Sequence, residues 1–393
     1  MTPALPPVPL EPSAATNPAK GIYFIAASQF GIAFSFNCIM SFMPFYILRI
    51  SPHSPKETMV WIGLIMGTTS LVAALAAPFW GGLTARVRPK LLFQAGIFCN
   101  GVLFCLMGFT ENLPLLLGLR MLQGAVGAVS TIGLVLIAGM AHGERLPTYM
   151  SLFQNSMTAG QLIGPPLGAY AVALFGYHAP FVIAPVITFV SLAYCRRHVQ
   201  DLPIQPVGPK AEKTFTRALL WGWGLTVVGT IHLMFLPSIL PHLLENFGLT
   251  GEVAVGAAGT IMMVYMTSAI LGNYLLVRLS GRWGISRLIA FACLSATALQ
   301  MLLYFSGDVY VFTLIRLLQT AAIAAVFPLV ISTFVGSARG ATLGFLNSAR
   351  FVGNAIGPMM ATAILAHADV LTLYLAIAGL TLAVWWGFAK NAG

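Results

Sequence analysis

Charge is what this sequence has least of. Only 8% of its 393 residues are Asp, Glu, Lys or Arg, while 58% are hydrophobic and the mean hydropathy is +0.87. Soluble domains carry about a quarter charged residues, so a soluble globular chain is excluded and a polytopic membrane protein is expected. Acids are scarcer than bases, ten against twenty. They are Glu11, Glu57, Glu111, Glu144, Asp201, Glu212, Glu245, Glu252, Asp308 and Asp369, and every one falls in a tail, a connection or the mouth of an apolar run. No apolar interior therefore offers a carboxylate to bind a proton or a cation. The five cysteines, Cys38, Cys99, Cys105, Cys195 and Cys293, have no paired spacing, which argues against a disulfide framework or a metal site. Phosphate-binding loops, zinc spacings and Ser, His, Asp arrangements are missing too, so we expect no enzyme, no cofactor and no nucleotide-driven pump. The net charge of +10 would suggest nucleic acid in a soluble protein, but here the cations sit in short connections between apolar runs. They read as topology signals, and no nucleic-acid partner is expected.

Long apolar runs are what the chain has in abundance. Twelve can be laid out at about 20–48, 58–82, 90–110, 113–140, 148–175, 178–195, 216–243, 253–279, 285–306, 309–335, 341–366 and 370–389. Each approaches the roughly 20 residues that cross about 30 Å of hydrocarbon as a helix. Nothing shows the short alternating strands of a membrane barrel, so the expected class is an all-α membrane protein of twelve helices. Residues 1–19 are rich in proline, lack a basic region before an apolar core, and read as a disordered cytoplasmic tail rather than a signal peptide. A longer connection at 196–215 separates one six-helix bundle, 20–195, from a second, 216–390. With the N-terminus inside, 15 of the 20 cations fall on the cytoplasmic side and only Arg49 and Lys56 outside. Both termini are thus expected in the cytoplasm.

The halves repeat each other. Arg86 in "LTARVRPK" and Arg282 in "LSGRWGISR" are 196 positions apart, as are the pairs Arg120, Gln123 and Arg316, Gln319. "GQLIGP" at 160–165 returns as "GNAIGP" at 353–358, an offset of 193. A six-plus-six duplication places a substrate site near the midplane between the halves, with rocking of one against the other giving alternating access.

These motifs resemble those of the major facilitator superfamily, and within it the twelve-helix drug and proton antiporters. In "GGLTARVRPK", Gly81, Leu83, Arg86 and Lys90 match the family's signature loop after the second helix. "RMLQGAVGA" from Arg120 is similar to the fourth-helix motif, and "GQLIGPPLGA" to the antiporter motif of the fifth. "APFWGGL" at 77–83 resembles bacterial multidrug exporters of this family. The loop departs from the pattern: the family's Asp is replaced by Ala85, its Gly by Arg88 and one basic residue by Pro89, and the second half has Gly281 at the acid position. The resemblance implies a latch closing the cytoplasmic ends. Here it would rest on Arg86, Arg88 and Lys90 against helix C-terminal carbonyls.

Buried polar residues supply the candidate path. A mid-helix arginine costs roughly 2.5 to 3.5 kcal/mol on insertion scales, which makes Arg120 and Arg316 functional candidates by default. Each shares a helical face with the glutamine three residues on, Gln123 or Gln319. They point to a cation held for an anionic or oxygen-rich substrate or for governing proton movement, or to an arginine capping carbonyls of a neighbouring helix. Asn347, Arg350, Asn354 and Gly357 form one stripe, with Gln154 and Gln161 at the corresponding places in the first half. That reads as a polar wall or as interhelical hydrogen bonding. His232 is the one deeply placed group that ordinarily titrates near physiological pH, a candidate proton carrier or a neutral donor to a carbonyl. Gly160, Gly164 and Pro165, with Gly353, Gly357 and Pro358, are candidate hinges, glycine permitting close helix contact and proline removing a donor. Phe30, Phe34, Met43, Phe45, Met262, Met263, Tyr265 and Met266 line a cavity or belong to core and lipid faces.

The expected protein is a secondary active exporter of small organic molecules in the inner, or plasma, membrane. It would be a monomer in the lipid bilayer, with a proton as coupling ion. The substrate is a xenobiotic, as the family resemblance implies, or a secreted oxygen-rich metabolite such as a siderophore. An importer of carboxylated nutrients would use the same buried arginines.

Overall fold

The computed structural model of the chain describes residues 18–84, 86–127, 129–140, 146–199, 216–334 and 340–391. Ala85, Glu144, Arg145, Arg339, residues 1–17 and most of the expected linker, 200–215, lie outside the described residues.

Fifteen α-helices account for nearly all of the described chain. They are α1 (Pro18–Ile50), α2 (Pro55–Leu83), α3 (Pro89–Gly108), α4 (Leu113–Ala125), α5 (Val129–Met140), α6 (Leu146–Phe175), α7 (Ala179–His198), α8 (Arg217–Met234), α9 (Leu236–Asn246), α10 (Gly251–Trp283), α11 (Ile285–Leu302), α12 (Val309–Ile323), α13 (Val326–Thr333), α14 (Gly340–His367) and α15 (Val370–Asn391). Taking α4 with α5, α8 with α9 and α12 with α13 as single broken rods gives the twelve crossings. Among the described residues, ten spans are long and apolar enough to cross a membrane. The other two rods, α6 and α14, carry the glutamine and the asparagine and arginine stripes.

The three breaks correct the expectation of continuous helices there, and each has a local cause. Gly124 and Gly127 flank the first, where helix propensity is lowest. Pro237 follows the second at Phe235. Pro328 lies just past the third and has no N–H to give to the carbonyl of Ala324. Trp80 donates through Nε1 to the Ala125 carbonyl at 2.6 Å, supplying the partner that the first break removes.

Several of the scarce acids start or precede helices. Asp308 accepts from the N–H groups of Tyr310 and Val311 at 2.8 and 2.9 Å, and Asp369 from that of Thr372 at 2.8 Å. A carboxylate there satisfies orphan donors and meets the positive end of the helix dipole.

Packing divides the molecule unevenly. One large core joins both halves at the end holding the connections after α1, α3, α9 and α14, with Phe42, Ile65, Phe104, Phe235, Tyr265 and Ala361 among its members. At the opposite end two smaller cores stand apart. One is built around Phe93 and Phe153 in the first half, the other around Leu288 and Leu329 in the second. The halves are therefore sealed together at one end and separate at the other.

Candidate functional site

Between the halves, on the separated side, lies a cavity of about 440 Å³. Residues from α6, α8, α10, α12, α13 and α14 line it. The amides of Gln154, Gln161, Asn273 and Asn354 and the Arg350 guanidinium give its wall a polar stripe. Arg350 lies 5.1 Å from the centre of the Phe327 ring, which supports its cation from the apolar side. Among the described residues, the lining contains no acid and no histidine. An arrangement of amides plus one guanidinium donates to oxygen atoms and tolerates an anion, but offers a cationic ligand no counter-charge.

The Gly-Pro elements sit at the border between cavity and seal. Gln161 lines the cavity and Pro165 follows it at the seal; Asn354 and Pro358 do the same in α14. Both helices run on through their prolines. The glycines bring backbones together. A Cβ on Gly160 would stand 2.6 Å from the Phe30 carbonyl oxygen, and one on Gly164 2.8 Å from that of Phe34, both on α1. Gly353 meets α8 in the same way, at 2.7 Å from the Val227 oxygen, while a Cβ on Gly357 would make only ordinary contact with the end of that helix, 3.4 Å from the Phe235 nitrogen. Across the halves, Gly67 of α2 meets Ala355 of α14, its Cβ position 2.5 Å from the carbonyl oxygen. Gly259 of α10 likewise faces the Pro165 oxygen of α6 at 3.2 Å.

The other polar candidates are placed elsewhere. Arg120, Gln123, Arg316, Gln319 and His232 are almost wholly buried and lie outside the cavity lining, in two matching clusters, one inside each half. Asn347 is exposed and is also outside the lining. In the first cluster Arg120 donates through Nε to the Ile65 carbonyl at 3.2 Å and through Nη1 to Gln123 Oε1. Its guanidinium lies 5.2 Å from the centre of the Phe36 ring, and Gln123 Nε2 donates to Asn100 at 3.3 Å. In the second, Arg316 donates through Nη1 to Gln319 Oε1 at 2.5 Å and through Nη2 to the His232 carbonyl at 2.6 Å. Its guanidinium lies 4.9 Å from both the Phe235 and Tyr265 rings. Gln319 Nε2 reaches Gln300 Oε1 and His232 Nδ1. Because that amide nitrogen can only donate, His232 Nδ1 accepts, and Nε2 carries the proton given to Thr381 Oγ1 at 2.9 Å. Among the described residues, neither buried guanidinium has a carboxylate partner; the one pair found is His53 with Glu57 at 3.9 Å.

Of the loop residues, Gly81 and Leu83 end α2, Arg86 is exposed in the turn beyond it and Arg282 is exposed in the last turn of α10. Lys90 donates to the Arg196 carbonyl at 3.4 Å, a cation on the C-terminal end of α7 within its own half. The sequence reading missed Asn100, Gln300 and Thr381 in the clusters, and Asn155, Asn273, Thr226 and Thr230 on the cavity wall. A lone amide inside an apolar run was the available signal for Asn100, Asn273 and Gln300. Met266 lines the cavity, whereas Met43, Phe45, Met262 and Tyr265 belong to the shared core.

A family model described as Major Facilitator Superfamily matches residues 25–255 and again 222–392. The chain is 26% identical over 364 residues to the multidrug resistance protein MdtG of Salmonella dublin, covering 88% of this chain and 89% of that one. It is 27% identical over 365 residues to the protein of the same name from Escherichia coli strain K12 / DH10B, covering 88% of each. Among solved structures, the nucleoside transporter NupG superposes with a TM-score of 0.74 at 13% identity, over 95% of this chain and 100% of that one. A D-xylose-proton symporter gives 0.73 at 14% identity over 94% and 97%. The human organic anion transporter TETRAN gives 0.70 at 15% identity over 95% and 100%.

Proposed function

The chain belongs to the Major Facilitator Superfamily, and from that premise we propose that it exports small, oxygen-rich or anionic organic molecules by alternating access. It is a membrane transporter, not an enzyme. The observation that carries the substrate reading is the cavity wall, in which Gln154, Gln161, Asn273, Asn354 and Arg350 meet without one carboxylate. Such a wall suits a neutral drug, an organic anion or a secreted chelator of the siderophore kind, and disfavours a cationic drug. The export direction rests on the likeness to proteins named for multidrug resistance.

The topology proposed from the cations puts the separated ends in the cytoplasm, since Arg86, Lys90, Arg196, Arg278, Arg282 and Arg287 lie there and only Arg49 and Lys56 at the sealed end. The state described is then inward-facing, with Gly67 on Ala355 and Gly259 on Pro165 as the outer seal. Arg350, Asn354, Gln154 and Gln161 contact the substrate. Arg120 with Gln123 and Arg316 with Gln319 act from behind the wall by holding helices in register, a role their backbone carbonyl contacts support. The domain division at 196–215 follows the same reading, as does a proton-coupled monomer in the inner membrane with His232 as proton carrier.

The test is flux in sealed inside-out vesicles carrying the protein, with a panel of anionic, neutral and cationic dyes. Proton-driven uptake of anionic and neutral dyes is expected; uptake restricted to cations would refute the substrate class. Arg350 also favours a second reading, import of a carboxylated nutrient, which accumulation by intact expressing cells would select.

A further inference from the structure

On the flank of the first half, α3 and α7 leave a groove of about 700 Å³. Its wall is apolar, with Phe181, Val182, Val186 and Phe189 along it, while Glu111 and His178 stand at its mouth. The two helices pack against α1, α4, α5 and α6 of their own half, so the groove opens on the perimeter and not toward the cavity. Phe109 at the mouth is 90% exposed and Val182 63%. In a chain that spans a membrane, what borders such a flank is the bilayer.

The mouth is not apolar, and its chemistry is specific. His178 Nδ1 lies 3.1 Å from the Gly108 carbonyl oxygen, which can only accept. Nδ1 therefore carries a proton, a tautomer in which Nε2 is the acceptor beside the groove. The carboxylate of Glu111 is a second acceptor, with negative charge. Two acceptors at one mouth match a primary ammonium, which has three N–H donors. Arg49 lies at the same end, its guanidinium 5.0 Å over the ring of Tyr177, the residue before His178. The mouth thus offers an anion and a neutral acceptor to a cation, and a cation nearby to an anion. That is the charge order of a zwitterionic phospholipid with a free amine.

We propose that this groove binds an ethanolamine phospholipid, one acyl chain along Phe181, Val182 and Val186, the ammonium on Glu111 and His178, and the phosphate toward Arg49. A choline headgroup has the same charges but no N–H to donate. A glycerol headgroup leaves the lipid anionic beside Glu111. Both should be held less well.

The test uses the full-length purified protein exchanged into mixed micelles with equal amounts of dioleoyl ethanolamine, choline and glycerol phospholipids, retained lipid being counted by mass spectrometry. The ethanolamine lipid should be retained about two- to fivefold over the others, the range expected of a partly exposed charged contact. Glu111→Gln should bring the three lipids to parity with an unchanged melting temperature, because the side chain is exposed and starts no helix. Val182→Trp should lower retention of all three by filling the groove. Parity in the native protein, or a preference that survives Glu111→Gln, overturns the proposal. So does displacement by soluble phosphoethanolamine, which would assign the mouth to a free amine rather than a lipid. The readout is lipid retention, independent of any transport assay.

Discussion

Arg316 donates through Nη2 to the main-chain carbonyl of His232 at 2.6 Å, two residues before α8 ends and the rod breaks. Its repeat partner Arg120 makes the corresponding bond to a different element, the Ile65 carbonyl of α2. At the His232 oxygen, beside the break, the guanidinium stands in for a helix donor; at the Ile65 oxygen, inside the unbroken α2, it adds a second donor that ties α4 to α2. Arg120→Met and Arg316→Met should each lower stability by about 1 to 3 kcal/mol, read as thermal melting in detergent. Arg316→Lys should recover little, because one ammonium cannot reach Gln319 and the carbonyl with the same fork. Unchanged melting in both methionine variants would show that the clusters hold nothing together.

His232 is one place where the two clusters differ. It stands 196 positions after Phe36, the same offset that relates Arg120 to Arg316, and Phe36 is the ring beside Arg120. The first half shows that a phenylalanine fits such a place. His232→Phe is therefore expected to fold, and, if the imidazole carries the coupling proton, to transport without dependence on the pH gradient. Vesicle flux with and without an imposed gradient measures this; retained coupling removes His232 from the proton path.

The cavity wall gives the most direct test of substrate binding. Arg350→Ala removes the one cation of the lining and should weaken binding of an anionic substrate by about tenfold or more, as loss of a charge-assisted hydrogen bond does. Asn354→Ala removes a neutral partner and should cost less, about two- to tenfold. Neutral substrates should feel the second change and hardly the first. Equal effects on charged and neutral substrates would mean that Arg350 acts by supporting the Phe327 face instead.

The helices and the duplication were legible in the sequence because both are written in long-range patterns, apolar length and repeated motifs. The breaks at Val126, Phe235 and Ala324 were not, since each depends on one or two residues, Gly124 and Gly127, Pro237 or Pro328, acting against an otherwise continuous apolar run. For the site, spacing put Asn347, Arg350, Asn354 and Gly357 on one stripe with Gln154 and Gln161 as its counterparts; Arg350, Asn354, Gln154 and Gln161 line the cavity, while Asn347 is exposed outside it and Gly357 packs toward the end of α8. The same logic could not tell that Arg120 and Arg316 face the interior of their own bundle. A mid-helix arginine looks the same in sequence whether it faces a cavity or a neighbouring backbone, and the carbonyls that receive it lie 55 and 84 residues away.

Within the first half, glycine brings α6 close against α1. Gly164→Ala would set a Cβ 2.8 Å from the Phe34 carbonyl oxygen and 3.0 Å from the Cys38 nitrogen, backbone atoms that cannot step aside. A loss of about 1 to 3 kcal/mol is expected, the usual cost of overpacking. Gly379→Ala, with open space around it, is the matched control and should melt like the native protein. Equal melting of the two variants would remove close contact between α1 and α6 as a source of stability.

Between the halves, the same substitution should act differently, because alternating access as proposed makes that contact in only one arrangement. A Cβ on Gly67 would stand 2.5 Å from the Ala355 oxygen and 2.8 Å from Met359 Cγ, both across the seal on α14. In a protein that rocks about a central cavity, the opposite arrangement parts these helices and relieves the clash. Gly67→Val should therefore leave melting nearly unchanged while shifting the population away from the sealed state. A cysteine placed at Thr230 on the cavity wall reports the shift. Its labelling by a membrane-impermeant reagent should fall from the side of Arg86 and Arg282 and rise from the side of Arg49 and Lys56. If Gly67→Val instead lowers stability as Gly164→Ala does, with labelling unmoved, the contact of α2 with α14 is a permanent part of the fold and the outer seal must be sought elsewhere.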